Sequence, residues 1–460
     1  MTRRQSEKSW AVVGGGFLGM TLALRLAQKG NAVTLFETAR SLGGLASAWQ
    51  LGEIVWDRHY HVTLKTDSYL RSLLRELRLE DQLEWKRART GFFIDSKLYS
   101  MSNALEFINF PPLNLIEKMR LCATIVRASR ILDAKAMEQI PVERWLTRWS
   151  GRTATRKMWL PLLRAKLGEG YRDASAAFIC TTIARMYSAR QAGAKSEMFG
   201  YVPGGYSRIL ESFERTLRQL GVRLRTGEPV RSITPAKEGG LDVDLLSVGT
   251  ERFARAVVTT AAPLAAQICS GLAAEEKQRL ASIRYQGIVC ASLLLKNSLS
   301  PFYITNIADD RLPYTAVIEM SSLVDKSQFD GRALLYLPKY LSPDSRYFEE
   351  KDEVIREDFL SALERMYPAF KRDDLICFQV SRVKHLLPIP TINYSSRVPA
   401  SATSISGLYI VNAAQILNGT LNVNETVRLA EAAALRIAEP VEECESPSRS
   451  YFHEPVATTS

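Results

Sequence analysis

Residues 10–37, WAVVGGGFLGMTLALRLAQKGNAVTLFE, decide the fold of this chain. They contain an apolar strand, the turn Gly14-x-Gly16-x-x-Gly19, a helix, a second strand and an acidic residue, Glu37. Gly14 permits the tight exit from the strand, Gly16 lets backbone N–H groups approach a pyrophosphate, and Gly19 lets the helix pack on the sheet. This order of elements predicts a dinucleotide-binding βαβ unit whose helix N-terminus faces the anion.

The acidic residue indicates which dinucleotide the unit prefers. Glu37 follows Gly19 by 18 residues, where a carboxylate accepts hydrogen bonds from both hydroxyls of the adenosine ribose. A 2′-phosphate there would meet like charge, so NADP is disfavoured. Phe17 and Leu18, within the same turn, are included among the predicted cofactor-binding residues. The flanking strand, helix and acid together distinguish this turn from a glycine turn that binds nothing.

Length and composition limit the class of protein to which this chain can belong. The 460 residues, 46% apolar and 24% charged, allow two or three domains with sizeable cores. No run of 18 apolar residues occurs, and the first strand begins near Trp10, which leaves no room for a signal peptide, so we expect a cytoplasmic location. Six cysteines without CxxC spacing and only four histidines favour reduced core thiols and no metal site.

The charge of the chain is concentrated in one stretch. The net charge is +11, and Ala104–Gly170 holds twelve Lys/Arg against six Asp/Glu. Such a patch attracts nucleic acid, anionic lipid or an acidic substrate, or is simply a solvated helical face. No nucleic-acid motif accompanies it, so we expect no nucleic-acid partner. The proline-interrupted helices of 113–166 carry Trp145, Trp149 and Trp159, which is consistent with peripheral docking on the inner face of an anionic membrane, the alternative being a plain amphipathic helix.

Cofactor-type segments alternate with insertions along the chain. We predict an α/β fold with a Rossmann-like FAD-binding domain built from three segments, 8–95, 201–280 and 400–438. An inserted α+β substrate domain would comprise a helical block, 96–200, and a sheet, 281–399. Apolar spacing from Asp67 to Lys166 predicts helices, and the polar, proline-containing stretch 439–460 predicts a disordered tail.

Four motifs carry a family resemblance. They are the glycine fingerprint with Gly43-Gly44 six residues after Glu37, the stretch PGGYSRILESFERTLRQLGVRLRTGEPVRSI (203–233), the run AVVTTAAP (256–263) and the C-terminal GLYIVNAAQILNGTLNVNETV (407–427). Through them the chain resembles the flavin-containing amine oxidase superfamily, which includes monoamine oxidase, protoporphyrinogen oxidase, phytoene desaturase and, more distantly, UDP-galactopyranose mutase. The resemblance covers most of residues 10–438 and implies FAD as the cofactor.

The resemblance also implies individual cofactor contacts. Gly43 and Gly44 would let their loop cross the flavin diphosphate closely, with Leu45 standing where the family usually has arginine. Val230 would offer backbone groups to the adenine, and Ala261 belongs to the family's small-x-Pro turn. At the C-terminus the family pattern ends in Gly-Asp, whereas this chain has Asn412-Ala413. The side-chain amide of Asn412 is uncharged but can still donate and accept hydrogen bonds. The residues expected at the flavin end are Asn412, Asn418, Gly419 and Asn422.

The run Asp57–His61 resembles the loop that passes beside the isoalloxazine in relatives. His61, with Tyr60 beside it, is of a residue type suited to proton transfer near neutrality. The alternative is a structural histidine in the core whose ring N–H is hydrogen-bonded to a backbone carbonyl. Arginine suits phosphate or carboxylate through its forked donors. The candidates for binding an anionic substrate or lining its cavity are Arg58, Arg382, Lys384, Tyr336 and Tyr394, with surface or core-packing roles as the alternative.

The stretches 57–81 and 90–99 most resemble a bacterial and archaeal branch called protoporphyrinogen oxidase-like or NAD(P)/FAD-dependent oxidoreductases, whose members often accompany glycan and lipid-saccharide biosynthesis. The resemblance implies an FAD-dependent oxidoreductase that transfers hydride to flavin N5 from a small-molecule or lipid-linked, anionic substrate. The alternatives are a non-redox flavoenzyme of the UDP-galactopyranose mutase type and a non-catalytic flavin-binding partner in a glycan-biosynthesis complex. Without a second nucleotide fingerprint, oxygen, quinone or a protein remain open as electron acceptor, as does the oligomeric state.

Overall fold

The computed structural model describes residues 8–131, 133–191, 198–417 and 420–437. The predicted tail, together with Asn418 and Gly419, lies outside these ranges. The strands are β1 (Ser9–Val13), β2 (Ala32–Glu37), β3 (Ala48–Leu51), β4 (Ile54–Asp57), β5 (Thr63–Leu64), β6 (Glu84–Arg87), β7 (Thr90–Ile94), β8 (Lys97–Ser100), β9 (Met198–Tyr201), β10 (Arg223–Thr226), β11 (Val230–Pro235), β12 (Leu241–Leu245), β13 (Gly249–Phe253), β14 (Arg255–Val258), β15 (Tyr285–Leu295), β16 (Ile304–Ile307), β17 (Ala316–Glu319), β18 (Ala333–Leu341), β19 (Leu375–Pro388) and β20 (Leu408–Ile410).

The helices alternate with these strands in the first domain and cluster in the insertion. They are α1 (Phe17–Gln28), α2 (Ser68–Glu76), α3 (Ala104–Ile108), α4 (Leu115–Ser129), α5 (Ala134–Met137), α6 (Val142–Ser150), α7 (Arg152–Ala154), α8 (Leu160–Leu167), α9 (Ala176–Gln191), α10 (Gly205–Gln219), α11 (Ala262–Ile268), α12 (Ala274–Ala281), α13 (Asp352–Met366) and α14 (Val423–Ile437). Within the described residues, no helix has the length and apolar content needed to cross a bilayer.

A parallel sheet in the order β10-β2-β1-β14-β20 forms the first domain. Both of its faces are buried: Trp10 and Val12 pack under α1, α10 and α14, while Ala11 and Val13 pack against the β11–β13 sheet and α11. The chain leaves β1 for β2 on one side and later returns to β14 on the other. The carboxyl end of β1 is therefore the topological switch point, where ligands bind in such sheets. The predicted three-segment Rossmann-like domain with an inserted α+β domain is confirmed.

The inserted domain is built on a seven-stranded sheet in the order β19-β15-β18-β17-β16-β7-β8. Successive residues of β15 alternate between its faces. Val289 and Ala291 pack toward α13, whereas Ile288 and Cys290 pack toward the first domain, in a cluster that includes Trp56. Helices α3 to α9 form a separate apolar cluster beside this sheet.

The expectation of mostly helical structure over 67–166 fails at residues 84–100, which form β6, β7 and β8. β7 has the sequence Thr-Gly-Phe-Phe-Ile and pairs in parallel with β16, more than 200 residues later in the chain. Its aromatic and β-branched side chains favour a strand, and a short apolar run of this kind cannot be distinguished from helix by spacing alone. A second correction concerns the thiols, because Cys122 is exposed on α4 instead of buried in a core.

Candidate functional site

The first glycine turn lies at the carboxyl end of β1. Gly14 adopts φ +109°, and its N–H donates to the Phe36 carbonyl over 2.8 Å. A Cβ on Gly19 would lie 1.9 Å from the Gly14 carbonyl oxygen, so α1 can approach the strand only with glycine there. The side chains of Phe17 and Leu18 are buried in the core, which leaves their backbone groups to face the turn.

A second glycine loop closes one side of this turn. The Gly43 N–H donates to the Gly15 carbonyl over 2.8 Å, and Gly16 and Gly43 form a parallel bridge. A Cβ on Gly44 would lie 3.1 Å from the Gly16 Cα. Leu45 follows directly after the pair. The two predicted glycine motifs therefore line one groove, in contact through their backbones.

Glu37 joins the second segment of the cofactor domain to the first. Its carboxylate accepts the Gly15 N–H over 2.7 Å and the Ala39 N–H over 2.8 Å, and its backbone carbonyl accepts the Glu228 N–H over 3.0 Å. Val230, two residues further on, is thereby brought to the same end of the sheet. Each carboxylate oxygen keeps a further lone pair, which a ribose hydroxyl can use.

The second and third segments reach the groove through β14 and β20, respectively. The Thr259 N–H donates to the Val13 carbonyl over 2.8 Å, which places Ala261 beside the exit of β1. The neighbouring strand β20 ends two residues before Asn412, which is buried, and its side-chain oxygen accepts the Ala414 N–H over 3.1 Å. Asn412 thus shapes its own turn at the carboxyl edge of the sheet.

Asn422 lies at the N-terminus of α14 and accepts the Glu425 N–H over 3.0 Å. Near their C-termini, α14 and α1 are joined by an ion pair of 2.6 Å between Arg25 and Glu431, and Lys29 contacts α14 one turn further along. The two helices therefore run in parallel, with their N-termini at the same end. This arrangement places Asn422 at the groove end of its helix, although its side chain serves as a helix cap.

The groove has the features that FAD requires. A Cβ on Gly14, Gly15, Gly19 or Gly43 would collide with neighbouring protein atoms, whereas Gly16 has no protein atom closer than 3.9 Å to its Cβ position and so leaves open space for a diphosphate to pass. The hydroxyl oxygen of Thr260 and the Nε of Arg58, next to the groove, are buried without a hydrogen-bond partner among the described residues. Because buried polar atoms are normally satisfied, a bound polar group is the natural partner for both. The residues present therefore fit an extended dinucleotide.

The loop after β4 forms an aromatic recess. The Tyr60 hydroxyl lies 2.8 Å from that of Tyr340, its ring centroid lies 6.1 Å from that of Tyr336, and the His61 ring centroid lies 4.8 Å from that of Tyr206. Burial, together with the Tyr340 hydroxyl, holds the pKa of Tyr60 well above its ordinary value. Burial also lowers the pKa of His61 to about 4, so its imidazole is neutral at pH 7.

His59, two residues earlier, connects the two domains. Its Nδ1 lies 3.2 Å from the Leu45 carbonyl oxygen and its Nε2 lies 3.1 Å from the Ser381 hydroxyl. Burial lowers the pKa of His59 to about 4. Both ring nitrogens are engaged, so His59 is a structural link, whereas His61 uses only Nδ1, 2.8 Å from the His59 carbonyl oxygen.

Two cations lie beside the recess. The Arg58 guanidinium carbon is 5.2 Å from the centre of the Trp49 ring, and the Lys166 amine is 5.3 Å from the centre of the Tyr60 ring. Lys166 is exposed and was not among the predicted site residues. Its place in a basic stretch was the one feature of the sequence that pointed to it.

Arg382 corrects the prediction of a substrate contact. It lies opposite Val289 in the β15–β19 pair, on the face that packs against α13. Its guanidinium forms an ion pair of 2.5 Å with Asp352 and donates to the Glu350 carbonyl over 2.6 Å. The structure therefore places Arg382 on the opposite face of the sheet from Tyr60 and His61.

Tyr394 packs at the C-terminal side of the groove. It is buried, and its hydroxyl donates to the Ala414 carbonyl over 2.9 Å. With Phe178, Ala413 and Leu421 it lines a small apolar crevice. Its hydroxyl group is therefore already engaged in a hydrogen bond with the protein, and its ring forms part of the wall of this crevice.

Sequence reasoning missed Asp57, the most deeply buried carboxyl group of this loop. It is 2% exposed, its carboxylate accepts the Tyr206 N–H over 2.7 Å, and its backbone carbonyl accepts the Tyr336 hydroxyl over 2.6 Å. Burial raises the pKa of Asp57 to about 7, while the Tyr206 N–H opposes the rise. The one feature of the sequence that could have indicated Asp57 was its position directly before Arg58, in the loop already assigned to the site.

The fold and groove define a two-domain protein that holds an extended dinucleotide cofactor. The profile of the flavin-containing amine oxidoreductases matches residues 19–436. Since this match covers most of the chain, the protein belongs to that family, its cofactor is FAD, and it is an FAD-dependent oxidoreductase by class.

Individual relatives are distant. The carotenoid phi-ring synthase of Streptomyces griseus is 27% identical over 257 residues, 51% of this chain and 48% of the synthase, so the match spans about half of that relative. An Exiguobacterium protein assigned as a protoporphyrinogen oxidase has a TM-score of 0.74 at 18% identity, covering 94% of this chain and 98% of its own. Reduced UDP-galactopyranose mutase has a TM-score of 0.72 at 15% identity, with 95% and 97% covered. These structural likenesses show a shared fold.

Proposed function

We propose that this flavoenzyme oxidises an anionic small molecule, carried on a lipid or a saccharide. When bound, FAD supplies a hydride acceptor at flavin N5 for a substrate C–H bond. The observation that carries the proposal is the aromatic recess of Tyr60 and His61, with the cations Arg58 and Lys166 beside it. Such a recess excludes water around a reacting carbon while the cations hold the anionic end of the substrate.

His61 acts as the proton acceptor in this proposal. Its Nδ1 donates to the His59 carbonyl, so in the neutral ring Nε2 carries the free lone pair. An alcohol or amine substrate can release its O–H or N–H proton to this nitrogen as the C–H bond breaks. Tyr60, kept protonated by its raised pKa, does not act as a base, and it orients the substrate together with Tyr340.

Arg58 and Lys166 bind the anionic group of the substrate. The forked donors of the Arg58 guanidinium, which lies over the Trp49 ring, and the exposed Lys166 amine offer positive charge to such a group. Anionic groups of the carboxylate or phosphate class match these donors. A lipid-linked substrate would bring the enzyme to the inner face of a membrane, as a peripheral and otherwise cytoplasmic protein.

A non-redox function of the UDP-galactopyranose mutase type is the second candidate, favoured by the fold shared with that enzyme. It is distinguished by activity that requires reduced flavin and yields no net oxidation. The uncharged Asn412 in place of the usual aspartate favours a third candidate, a non-catalytic flavin-binding partner in a glycan-biosynthesis complex. That candidate predicts stable flavin colour which no substrate bleaches.

The test is anaerobic reduction of the purified holoprotein. A panel of anionic alcohols and amines, free and lipid-linked, is mixed with the enzyme, and bleaching of flavin absorbance is followed by stopped flow. A His61→Gln variant should keep its flavin but reduce it about a hundredfold more slowly, whereas His385→Gln, a histidine beside Tyr285 in the inserted sheet, should not differ from wild type. Equal rates in the two variants would remove His61 from the mechanism. Photoreduced enzyme mixed with oxygen, quinones and protein acceptors then identifies the oxidant.

A further inference from the structure

The outer side of helix α4 carries an apolar stripe. Its exposed apolar residues follow the 3.6-residue period of one helix face, and they are Leu115, Ile116, Met119, Cys122, Ala123 and Val126. Arg120 and Arg127 are also exposed and lie along one edge of the stripe. Leu115 and Ile116 are 68% and 65% exposed. The opposite face, with Leu121 and Ala128, is buried against α6 and α9. The helix therefore presents apolar side chains on both sides, one of which is not covered by any residue that the structure describes.

The short helix α3 extends this surface. Leu105 is 69% exposed and Ile108 is 61% exposed, and α3 packs against α4. We define these two residues and the six of α4 as the α3–α4 surface. Exposed apolar residues scattered singly are ordinary, but a contiguous group of this size marks an interaction site.

Basic residues surround the α3–α4 surface. The Lys118 amine donates to the Ile108 carbonyl over 2.6 Å and the Lys157 amine donates to the Pro112 carbonyl over 3.0 Å, so both amines lie at the junction of the two helices. Arg127 stacks on the Trp149 ring at 3.8 Å. In the described part of the chain these cations contact carbonyls and a ring instead of carboxylates, so their charge is not neutralised by ion pairs.

The nearby acids are engaged in helix caps and turns. Glu117 closes a capping box with Asn114, and Glu106 accepts hydrogen bonds from Ser100 and Ser102. Residues 104–170 carry twelve basic and six acidic residues, half of the net charge of the chain. The surface therefore combines an apolar stripe with a positive rim, the composition of a helix that lies in the plane of an anionic bilayer.

We propose that the α3–α4 surface docks on an anionic lipid bilayer, with α4 parallel to the membrane plane. Apart from the Cys122 thiol, a weak donor, the side chains of the stripe carry no hydrogen-bonding N–H or O–H group, which suits contact with hydrocarbon. The rim cations meet the lipid headgroups. This inference deepens the proposed function, because a lipid-linked substrate would be reached from the membrane surface. It rests on the proposed function only for the identity of that substrate. Membrane binding itself is measured without turnover.

The test is co-sedimentation of the FAD-loaded protein with two kinds of vesicle, phosphatidylcholine alone and phosphatidylcholine with phosphatidylglycerol. We expect binding to the anionic vesicles, weakened by added salt. Ile116→Glu should reduce the apparent affinity for the anionic vesicles about tenfold or more, since a charge replaces an apolar side chain that docking would bury in the bilayer. Leu435→Glu is the matched control, because Leu435 is 63% exposed on α14 and should be replaced without effect. Flavin content and melting temperature confirm that both variants fold.

Cys122 offers a direct readout of contact. With Cys377 and Cys444 replaced by serine, an environment-sensitive dye on Cys122 should shift to the blue when anionic vesicles are added. Absence of wild-type binding, or equal loss in Ile116→Glu and Leu435→Glu, would overturn the proposal. So would a wild-type dimer that Ile116→Glu dissociates, since a second copy would then cover the surface. None of these outcomes depends on flavin reduction, so failure here leaves the proposed oxidation to be judged separately.

Discussion

Replacing Asp57 by asparagine should remove a pH dependence from the stability of the protein. Asp57 is 2% exposed, and the titratable groups that face it are the phenols of Tyr206, Tyr303 and Tyr336. Burial holds the pKa of each of these phenols above its ordinary value, so they stay neutral through the range of the experiment. The carboxyl group therefore titrates without a nearby cation to favour its charged form.

The magnitude follows from the pKa of Asp57, about 7 in the folded protein against an ordinary 3.8. A group whose pKa is raised by folding binds its proton more tightly in the folded state. Its contribution is fully present below the unfolded value and is lost as the pH rises through the folded value. The difference between these limits is roughly 4 kcal/mol in the free energy of unfolding, an upper figure because relaxation and water entry reduce it.

Urea unfolding of wild type and Asp57→Asn between pH 4 and pH 8 measures this effect. Wild type should lose several kcal/mol across the range relative to the variant, whose amide oxygen can still accept the Tyr206 N–H but does not ionise. Asp358→Asn, at an exposed position on α13, is the matched control and should follow wild type. If Asp57→Asn showed the same pH dependence as wild type, the assignment of this titration to Asp57 would be refuted.

Further predictions concern the groove and the recess. Gly19→Ala should lower FAD affinity at least tenfold or so, measured by flavin retention on dialysis, because its Cβ would collide with backbone at 1.9 Å. The rate of flavin reduction by wild type should be level between pH 5 and pH 8 and fall below pH 5 as His61, with a pKa of about 4, takes up a proton, whereas the residual rate of His61→Gln should not show this fall and His385→Gln should follow wild type. Lys166→Gln should raise KM for an anionic substrate about tenfold with little change in kcat, because it removes one charged contact. Arg382→Gln should leave both constants unchanged, since this arginine is held on the far face of the sheet.

The parts of the site that were predictable from sequence depend on local backbone geometry. The turn of Gly14 and Gly19 requires glycine whatever the rest of the chain does, so its sequence reveals it. The position of Arg382 depends instead on strand register. The β15–β19 pair contains a one-residue irregularity between Leu294 and Leu295, opposite Cys377 and Leu375 at the start of β19, and a shift of one residue reverses the face of every later side chain of that strand. No pattern within β19 alone discloses that shift.

Long-range pairing limited the prediction in the same way at β7. The run of Thr90–Ile94 acquires its place only by pairing with Ile304–Ile307, a contact that spans the whole helical insertion. Lys166 likewise reaches Tyr60 only because α8 packs beside the inserted sheet. Local signals therefore identify the cofactor groove, whereas the substrate side depends on contacts between segments that lie far apart in the sequence.

The loop 57–61 joins these two sides, and its chemistry explains why it is so deeply buried. Asp57 binds the N-terminus of α10 through its carboxylate and β18 through its carbonyl, while His59 connects the loop of Leu45 to β19. Three of these four bonds cross between cofactor domain and inserted domain or between distant segments, and the fourth, from His59 to Leu45, ties the loop to the second glycine loop of its own segment. Because a buried carboxyl group and two buried imidazoles are costly, their retention at one junction is best explained by a need to hold His61 in register with the groove. Changes that loosen Asp57 or His59 should therefore disturb substrate oxidation before they release the flavin, whose own contacts lie at the glycine turns.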